Sequence, residues 1–250
     1  KNYNIFYLCI KDFANIEDYK NYDYTEISIT SFSHILDHLK INNINDIIMA
    51  GKITRPSLSD IKFDLSTLSL IKEYLLESKG DDKLLTIISK FFLKKGYPLF
   101  NWVSECPELF SSDDFLTYKK PSKQALLNKD KGLKLFENIG KADIGQSIVV
   151  QNQLVIGIEA IEGTDSLIER CFQYKKKGDL GIVIKLSKYK QNLYLDIPVI
   201  GLETLKNIKK YNYEGIFIEK NKCILLNKEE IIEYCNSNKL FISTIFKNES

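Results

Sequence analysis

The sequence predicts a two-domain α/β protein, with an N-terminal Rossmann-like domain on a parallel sheet and a C-terminal α/β domain on a mixed sheet. Three observations predict it. Strands and helices alternate over the first hundred residues, a polar stretch with two prolines interrupts them, and a second series of short apolar strands and helices follows. A chain of 250 residues is also long for one domain. We predict domains at 1–106 and 122–250, joined by a linker at 107–121.

Apolar periodicity justifies each element of the first domain. A continuous apolar run predicts a buried strand, whereas apolar residues three or four apart predict a helix with one buried face. A glycine that follows such a stripe marks a helix end. The predicted elements are a strand at Ile5–Ile10, a helix at Thr30–Lys40, a strand at Asp46–Ala50, a helix at Leu65–Lys79 and a helix from Asp81 or Asp82 to near Gly96.

The second domain shows the same signals more clearly. Ser147–Val150 and Leu154–Ala160 predict a hairpin that turns near Asn152. Four more strands are predicted, at Gly181–Leu186, Gly215–Glu219, Cys223–Leu226 and Leu240–Ser243. Helices are predicted at Lys123–Asn138, Asp165–Phe172, Glu203–Tyr211 and Lys228–Asn236.

Composition excludes several classes of protein. A net charge of +2 with 27% charged residues argues against a disordered chain and against nucleic-acid binding through bulk charge. No apolar run reaches the length of a membrane span, and no signal-peptide pattern opens the chain. The five cysteines are scattered without a CxxC pair, which favours a reducing cytoplasm over a disulfide framework or zinc site.

The titratable residues favour metal-assisted phosphate chemistry. Only two histidines occur, His34 and His38, and the helical pattern predicts that both face solvent. No GxSxG motif is present. Of the 35 basic residues only Arg55 and Arg170 are arginine, and a guanidinium grips a phosphate in a fork that lysine cannot reproduce. Lysine, arginine and clustered carboxylates remain as the candidate groups.

Two candidate sites lie in the first domain. Lys52 and Arg55 follow a predicted strand, where open α/β sheets bind ligands, although the segment also fits a solvated turn. Asp81 and Asp82 begin a predicted helix, where they would either cap it or face a ligand.

Carboxylates concentrate in the second domain. Glu159, Glu162 and Asp165 lie within seven residues around Gly163, between a strand and a helix, which is typical of an oxygen-ligand site for Mg²⁺. The alternative is that Thr164 caps the helix while Asp165 complements its dipole. Asp196 is a lone charge in an apolar stretch, and burying it demands a metal, a cation or a substrate unless it lies at a strand end.

Taken together, these segments resemble one family over essentially the whole chain, the LpxI-type UDP-2,3-diacylglucosamine pyrophosphatases. The most specific strings are Ala142-Asp143-Ile144-Gly145-Gln146 and Glu159-Ala160-Ile161-Glu162-Gly163-Thr164-Asp165. The others are Ile48–Lys52 with Arg55–Leu58, Gly80-Asp81-Asp82 and Asp196–Gly201. The resemblance implies two domains with the site between them, and Mg²⁺-dependent hydrolysis of the substrate diphosphate to 2,3-diacylglucosamine 1-phosphate and UMP, a step of lipid A synthesis.

The resemblance also implies roles for individual residues. Asp196 matches the essential aspartate, and the metal would be Mg²⁺, or Mn²⁺ in its place, bound by Asp196 with Asp165 or Glu162. Substrate-binding positions are Lys52, Arg55, Asp81, Asp82, Gln146, Glu159, Gly163, Thr164, Arg170, Lys185, Lys188 and Gln191. The stretch before Asp196 departs from the family pattern at Tyr189, Asn192 and Tyr194.

The expected partner is an acylated nucleotide sugar, met during transient contact with the inner-membrane surface by a cytoplasmic protein that binds no nucleic acid. The sequence leaves open whether the protein forms a homodimer. Two other functions also remain open from the sequence: hydrolysis of another nucleotide sugar, and lipid or nucleotide binding without turnover.

Overall fold

The computed structural model describes residues 3–28, 32–51, 81–139, 144–188 and 195–246, with the backbone alone for residues 81–84 and 139. The chain divides into two compact units, Lys1–Trp102 and Val103–Ser250.

The first unit contains a small parallel sheet. Strands β1 (Tyr7–Ile10) and β2 (Tyr24–Ile27) pair in parallel, with Tyr7 opposite Tyr24. Helices α1 (Phe32–Ile41) and α2 (Asp81–Lys94) follow. The parallel pairing confirms the predicted α/β class of this domain. Strand β2 was not predicted because Thr25 and Glu26 interrupt its apolar pattern.

Aromatic packing holds the core of the first unit together. The rings of Phe32 and Phe91 lie 5.6 Å apart and those of Phe91 and Phe92 5.5 Å apart, both edge to face. Ile27 of β2 and Leu39 of α1 are buried in the same cluster. One apolar face of α1 and one of α2 therefore pack in the same cluster as Ile27 of β2, as the apolar stripes predict.

The strand predicted at Asp46–Ala50 is wrong. The structure has only a single parallel bridge there, between Ile47 and Leu99. Ile48 is 52% exposed, so one side of this apolar run is not buried, and among the described residues no ladder extends from the bridge. The helix predicted at Leu65–Lys79 lies outside the described residues.

The second unit alternates strands and helices. Its strands are β3 (Ser147–Gln151), β4 (Leu154–Ile158), β5 (Ile182–Lys185), β6 (Val199–Ile200), β7 (Gly215–Glu219), β8 (Ile224–Leu225) and β9 (Phe241–Ile245). Its helices are α3 (Lys123–Ile139), α4 (Thr164–Phe172), α5 (Leu202–Lys210) and α6 (Lys228–Ser237). Across the described ranges, no helix is both long and apolar enough to span a membrane. Each element predicted for this unit is present, whereas the short strand β6 and two short 3-10 helices, Val103–Glu105 and Pro107–Leu109, were not predicted.

The main sheet is mixed, as predicted. Its order is β4-β3-β5-β7-β9, in which β5, β7 and β9 run parallel and β3 runs antiparallel to both of its neighbours. A separate two-residue parallel pair joins β6 to β8. The carboxyl ends of the parallel strands and the beginning of β3 therefore lie together at one end of the sheet, its carboxyl edge, which differs from the lateral edges formed by β4 and β9.

Helices cover both faces of this sheet. Val149, Val183 and Ile216 pack in one cluster with side chains of α4, α5 and α6. Ile148 and Ile184, each next to one of these residues along its strand, pack in the other cluster with α3. Burial on both faces explains why the strands are continuous apolar runs rather than alternating ones.

The segment predicted as a linker packs along an edge of this sheet. Phe115 forms an antiparallel bridge with Ser243, and the N–H of Leu116 donates to the carbonyl of Ile242 at 3.0 Å. The N–H of Ile242 in turn donates to the hydroxyl of Thr117 at 3.0 Å. The two units divide between Trp102 and Val103, so this stretch belongs to the second unit and covers the exposed side of β9.

Candidate active site

The strand order brings the polar motifs of the second unit to one edge of the sheet. Ser147, the first residue of β3, pairs with Lys185, the last residue of β5. Glu159 follows β4 and donates its backbone N–H to the carbonyl of Ser147 at 2.9 Å. Residues far apart in sequence thus meet beyond the carboxyl end of β5, where α/β sheets bind their ligands.

Gly145 allows the two motif strings to approach closely. A Cβ atom at this position would lie 2.1 Å from the carbonyl oxygen of Glu159, which no larger residue could accommodate. The next residue, Gln146, donates its backbone N–H to the Glu159 carboxylate at 3.3 Å. The glycine is therefore required by packing between the strings, and it brings the Gln146 side chain to the edge of the sheet.

The hydroxyl of Thr164 lies at the centre of the cluster. It receives a hydrogen bond from the Lys185 ammonium at 2.8 Å and donates to the Glu159 carboxylate at 3.2 Å. The Ser147 hydroxyl lies 3.0 Å away. Since the single Thr164 proton goes to Glu159, Ser147 must donate to Thr164. Both lone pairs and the proton of Thr164 are then used within the protein.

Lys185 connects this cluster to the segment that carries Asp196. Its side chain is buried, with the residue 8% exposed, and its ammonium also donates to the carbonyl of Val199 at 2.8 Å. We predicted that Lys185 binds substrate. In the structure, two of its three N–H groups are directed to protein oxygens, so its charge holds α4 and the Asp196 segment at the sheet edge.

Asp196 is half-buried in the irregular chain just before β6. Its Oδ2 atom accepts a hydrogen bond from the amide of Gln146 at 3.2 Å. The backbone nearby is anchored where Ile224 donates its N–H to the carbonyl of Pro198 at 2.8 Å. The carboxylate thus lies within the apolar stretch just before β6 and contacts Gln146, a second residue of the predicted site.

Glu162 and Arg170 pair with each other. The Arg170 guanidinium donates to the Glu162 carboxylate and to the carbonyl of Ile158 at 3.1 Å, while Glu162 also accepts the N–H of Ala160 at 3.1 Å. Burial alone would raise the pKa of Glu162, but the hydrogen bond from Arg170, the backbone N–H groups of Glu162 and Ala160 and the Arg170 charge together outweigh burial and lower this pKa. The pair braces the turn that leads into α4, where Gly163 has a φ of 81°.

Other predicted residues lie apart from this cluster or outside the described part of the chain. Asp165 is exposed in the first turn of α4, and Lys188 is half-buried beyond β5. Asp81 and Asp82 are the first two residues of α2 in the first unit. Lys52, Arg55 and Gln191 lie outside the described residues.

The described side chains form no ready metal cage. Within the ranges that the structure describes, no three histidine, cysteine or acidic side chains come together as metal ligands. The predicted trio of Asp196, Asp165 and Glu162 is therefore not assembled as one group. Glu162 is held by Arg170, whereas Asp165 points from an exposed position.

Sequence reasoning missed two buried polar groups at this edge. Ser147 is completely buried, and its position at the start of an apolar run at the ligand-binding edge could have drawn attention to it. Cys223 is buried close enough to Lys185 for that charge to act on its pKa. Burial nevertheless raises the Cys223 pKa to about 12, so the group stays a thiol and is a poor nucleophile.

Comparisons with known proteins cover nearly the whole chain. Residues 1–109 match the family described as the LpxI N-terminal domain, and residues 112–243 match the LpxI C-terminal domain. The chain is also similar to the protein named UDP-2,3-diacylglucosamine pyrophosphatase LpxI from Caulobacter vibrioides. The two are 27% identical over 228 residues, which cover 88% of this chain and 81% of that protein.

Proposed function

The chain belongs to the LpxI family, and on that premise we propose that it is a Mg²⁺-dependent UDP-2,3-diacylglucosamine pyrophosphatase of lipid A synthesis. The products would be 2,3-diacylglucosamine 1-phosphate and UMP. One observation carries this proposal from the structure. The Asp196 carboxylate and the Gln146 amide are joined at 3.2 Å beside the carboxyl end of β5, and both residues belong to the motifs of the resemblance.

The reaction needs a water molecule aimed at one phosphorus atom. Water attacks the phosphorus next to the sugar, the bond to the bridging oxygen breaks, and that oxygen leaves with UMP. Asp196 is suited to orient this water and to take its proton, since Gln146 holds one carboxylate oxygen at a defined position. Charge that develops on the phosphate oxygens requires nearby cations and N–H groups.

A single carboxylate is enough to recruit the metal. Mg²⁺ commonly binds through one or two carboxylates together with substrate phosphates and water. Asp196 is the carboxylate that matches the essential aspartate of the resemblance, and it lies beside Gln146 at the carboxyl end of β5. Mn²⁺ has the same preference for oxygen ligands. When bound, the ion would neutralise phosphate charge and polarise a phosphoryl oxygen.

The acyl chains of the substrate call for apolar contacts near the polar cluster. Ile161 is 92% exposed within the turn after β4, and Ile144, next to Gly145, is 46% exposed. Burying such side chains is worth about 25 cal/mol per Å² of apolar surface, which favours an acylated substrate over a bare nucleotide sugar. We further propose that the substrate is met in transient contact with the cytoplasmic face of the inner membrane.

A substrate comparison tests this function. We expect release of UMP from UDP-2,3-diacylglucosamine in the presence of Mg²⁺, loss of activity in EDTA, and a much lower kcat/KM for UDP-glucosamine. Equal rates for the two substrates would indicate a hydrolase of another nucleotide sugar. Tight binding of the acylated substrate without any UMP release would indicate a protein that binds without turnover.

Replacement of Asp196 tests the site itself. We expect Asp196→Asn to lower kcat about 100-fold or more while the melting temperature stays close to that of the wild type. Asp130→Asn, which alters an exposed carboxylate on α3, is the matched control and should retain full activity. Near-normal Mg²⁺-dependent turnover by Asp196→Asn would refute the assignment.

A further inference from the structure

A buried carboxylate outside the motifs of the resemblance lies at the same edge of the sheet. Glu219 is the last residue of β7 and is 3% exposed. Its Oε2 atom accepts two hydrogen bonds from Ser187, from the backbone N–H at 2.8 Å and from the hydroxyl at 2.6 Å. Its other oxygen lies 3.1 Å from the ammonium of Lys222.

Ser187 is joined through described residues to a side chain that contacts Asp196. It is the second residue after β5, and Leu186 before it donates its N–H to the carbonyl of Gln146 at 2.8 Å. The side-chain amide of Gln146 in turn donates to Asp196 at 3.2 Å. Glu219 therefore holds the chain after β5 beside Gln146, and Lys185 holds the chain after Asp196 by donating to the carbonyl of Val199.

We propose that Glu219 is a positioning residue for Asp196, an inference that rests on the proposed function. Taking a carboxylate out of water costs free energy unless charge-assisted hydrogen bonds replace its hydration. Here the replacing bonds go to the backbone and side chain of one residue, Ser187. The carboxylate thereby holds Ser187 and, through Leu186, the backbone of Gln146, whose side-chain amide contacts Asp196.

The same strand supplies a matched control. Glu214, just before β7, is 6% exposed and accepts the backbone N–H and the hydroxyl of Ser122, both at 2.8 Å. Ser122 precedes α3, and its hydroxyl also accepts the N–H of Ala125 at 3.1 Å, as a helix cap does. Two buried glutamates thus make the same pair of bonds to a serine at opposite ends of one strand, and only Glu219 lies at the edge that carries Asp196.

The experiment compares Glu219→Gln with Glu214→Gln. Glutamine keeps the shape but removes the charge and turns an amide group toward Lys222 or Ser187. We expect Glu219→Gln to lower kcat about tenfold with KM nearly unchanged, because a small displacement of a catalytic group acts on the transition state. Glu214→Gln should leave kcat within about twofold of the wild-type value. Both variants should lower the melting temperature by similar amounts, since each weakens one buried pair of hydrogen bonds.

Hydrogen exchange supplies a readout that does not depend on turnover. Peptides that cover 195–199 should exchange faster in Glu219→Gln and not in Glu214→Gln. Equal kcat in the two variants, or unchanged exchange at 195–199, would overturn the inference. If Glu219→Gln does not fold, Ser187→Ala removes one bond to Glu219, and Ser122→Ala, which removes one bond to Glu214 together with the cap of α3, serves as its control. A wild-type protein that lacks hydrolase activity would refute the proposed function. The hydrogen-exchange comparison would still decide whether Glu219 orders residues 195–199.

Discussion

At the scale of single residues, the polar cluster shows how one buried cation organises neutral and acidic groups. The Lys185 ammonium donates to Thr164 and to the carbonyl of Val199, and the Thr164 hydroxyl donates a hydrogen bond to Glu159. Each group provides a hydrogen-bond partner for the next, and these bonds offset the cost of burying the polar groups. Removing the ammonium leaves the buried Thr164 hydroxyl and the Val199 carbonyl each short of a donor.

We therefore predict that Lys185→Met destabilises the protein. Methionine fills a similar volume without a donor, and the cost of the unmet hydrogen bonds is about 1–3 kcal/mol in the free energy of unfolding. Denaturant unfolding measures this loss, and kcat should fall with it. The control is Lys131→Met at an exposed position on α3. Equal stability of the two variants would show that the Lys185 contacts contribute nothing net.

At the scale of elements, α4 supports the edge strand β4. Arg170 and Cys171, both on α4, direct their side chains to the carbonyls of Ile158 and Ile156, at 3.1 and 3.5 Å. Gly157 makes room for this contact, since a Cβ atom there would lie 2.2 Å from the sulfur of Cys171. The helix therefore occupies carbonyls that an exposed edge would otherwise leave unpaired.

The pair of Glu162 and Arg170 predicts a pH dependence of stability. The pKa of Glu162 is lowered in the folded protein below its ordinary value of 4.5. The pair thus stabilises the fold above pH 4.5, and this contribution is lost as the pH falls through the lower folded value. At pH 7 we expect Glu162→Gln to reduce the free energy of unfolding by about 0.5–1 kcal/mol, a value typical of partly exposed pairs.

Thermal unfolding from pH 7 to pH 3 checks this sign. The difference in melting temperature between the wild type and Glu162→Gln should become smaller as the pH falls below 4.5. The same difference at pH 7 and pH 3 would contradict the assignment of the pH effect to Glu162.

At the scale of the whole molecule, the second unit has its own two-faced core and a covered sheet edge. The stretch 103–121 belongs to this unit, and Asp114 accepts hydrogen bonds through its carbonyl from the N–H of Thr244 at 3.0 Å and the hydroxyl of Ser243 at 2.8 Å. Unpaired strand edges invite association with other chains. The segment should therefore contribute to both stability and solubility.

Two fragments test this role. We predict that residues 103–250 alone unfold in one cooperative transition, whereas residues 122–250 are less stable and prone to association. The physical reason is the exposure of the β9 edge together with the loss of the hydrogen bonds made by residues 113–117. Thermal unfolding and sedimentation measure both effects. Identical behaviour of the two fragments would mean that the stretch before α3 is dispensable.

The sequence by itself determined the fold class, most elements of the second unit and the residue types of the site. Strands buried on two faces must be continuous apolar runs, and helices on a sheet must carry one apolar stripe, so periodicity alone locates them. The strand at Gly215–Glu219 has the predicted bounds for this reason. The motif strings also indicated the family that the chain belongs to.

Only the tertiary structure decided which partner each polar side chain takes. Arg170 pairs with Glu162, Lys185 with Thr164, and Glu219 with Ser187, although nothing in the spacing of these residues selects those partners. The physical reason is that strand order and register bring them together. Hydrogen bonds act only over about 3 Å, so a partner is chosen by where the chain returns, not by the local pattern of the sequence.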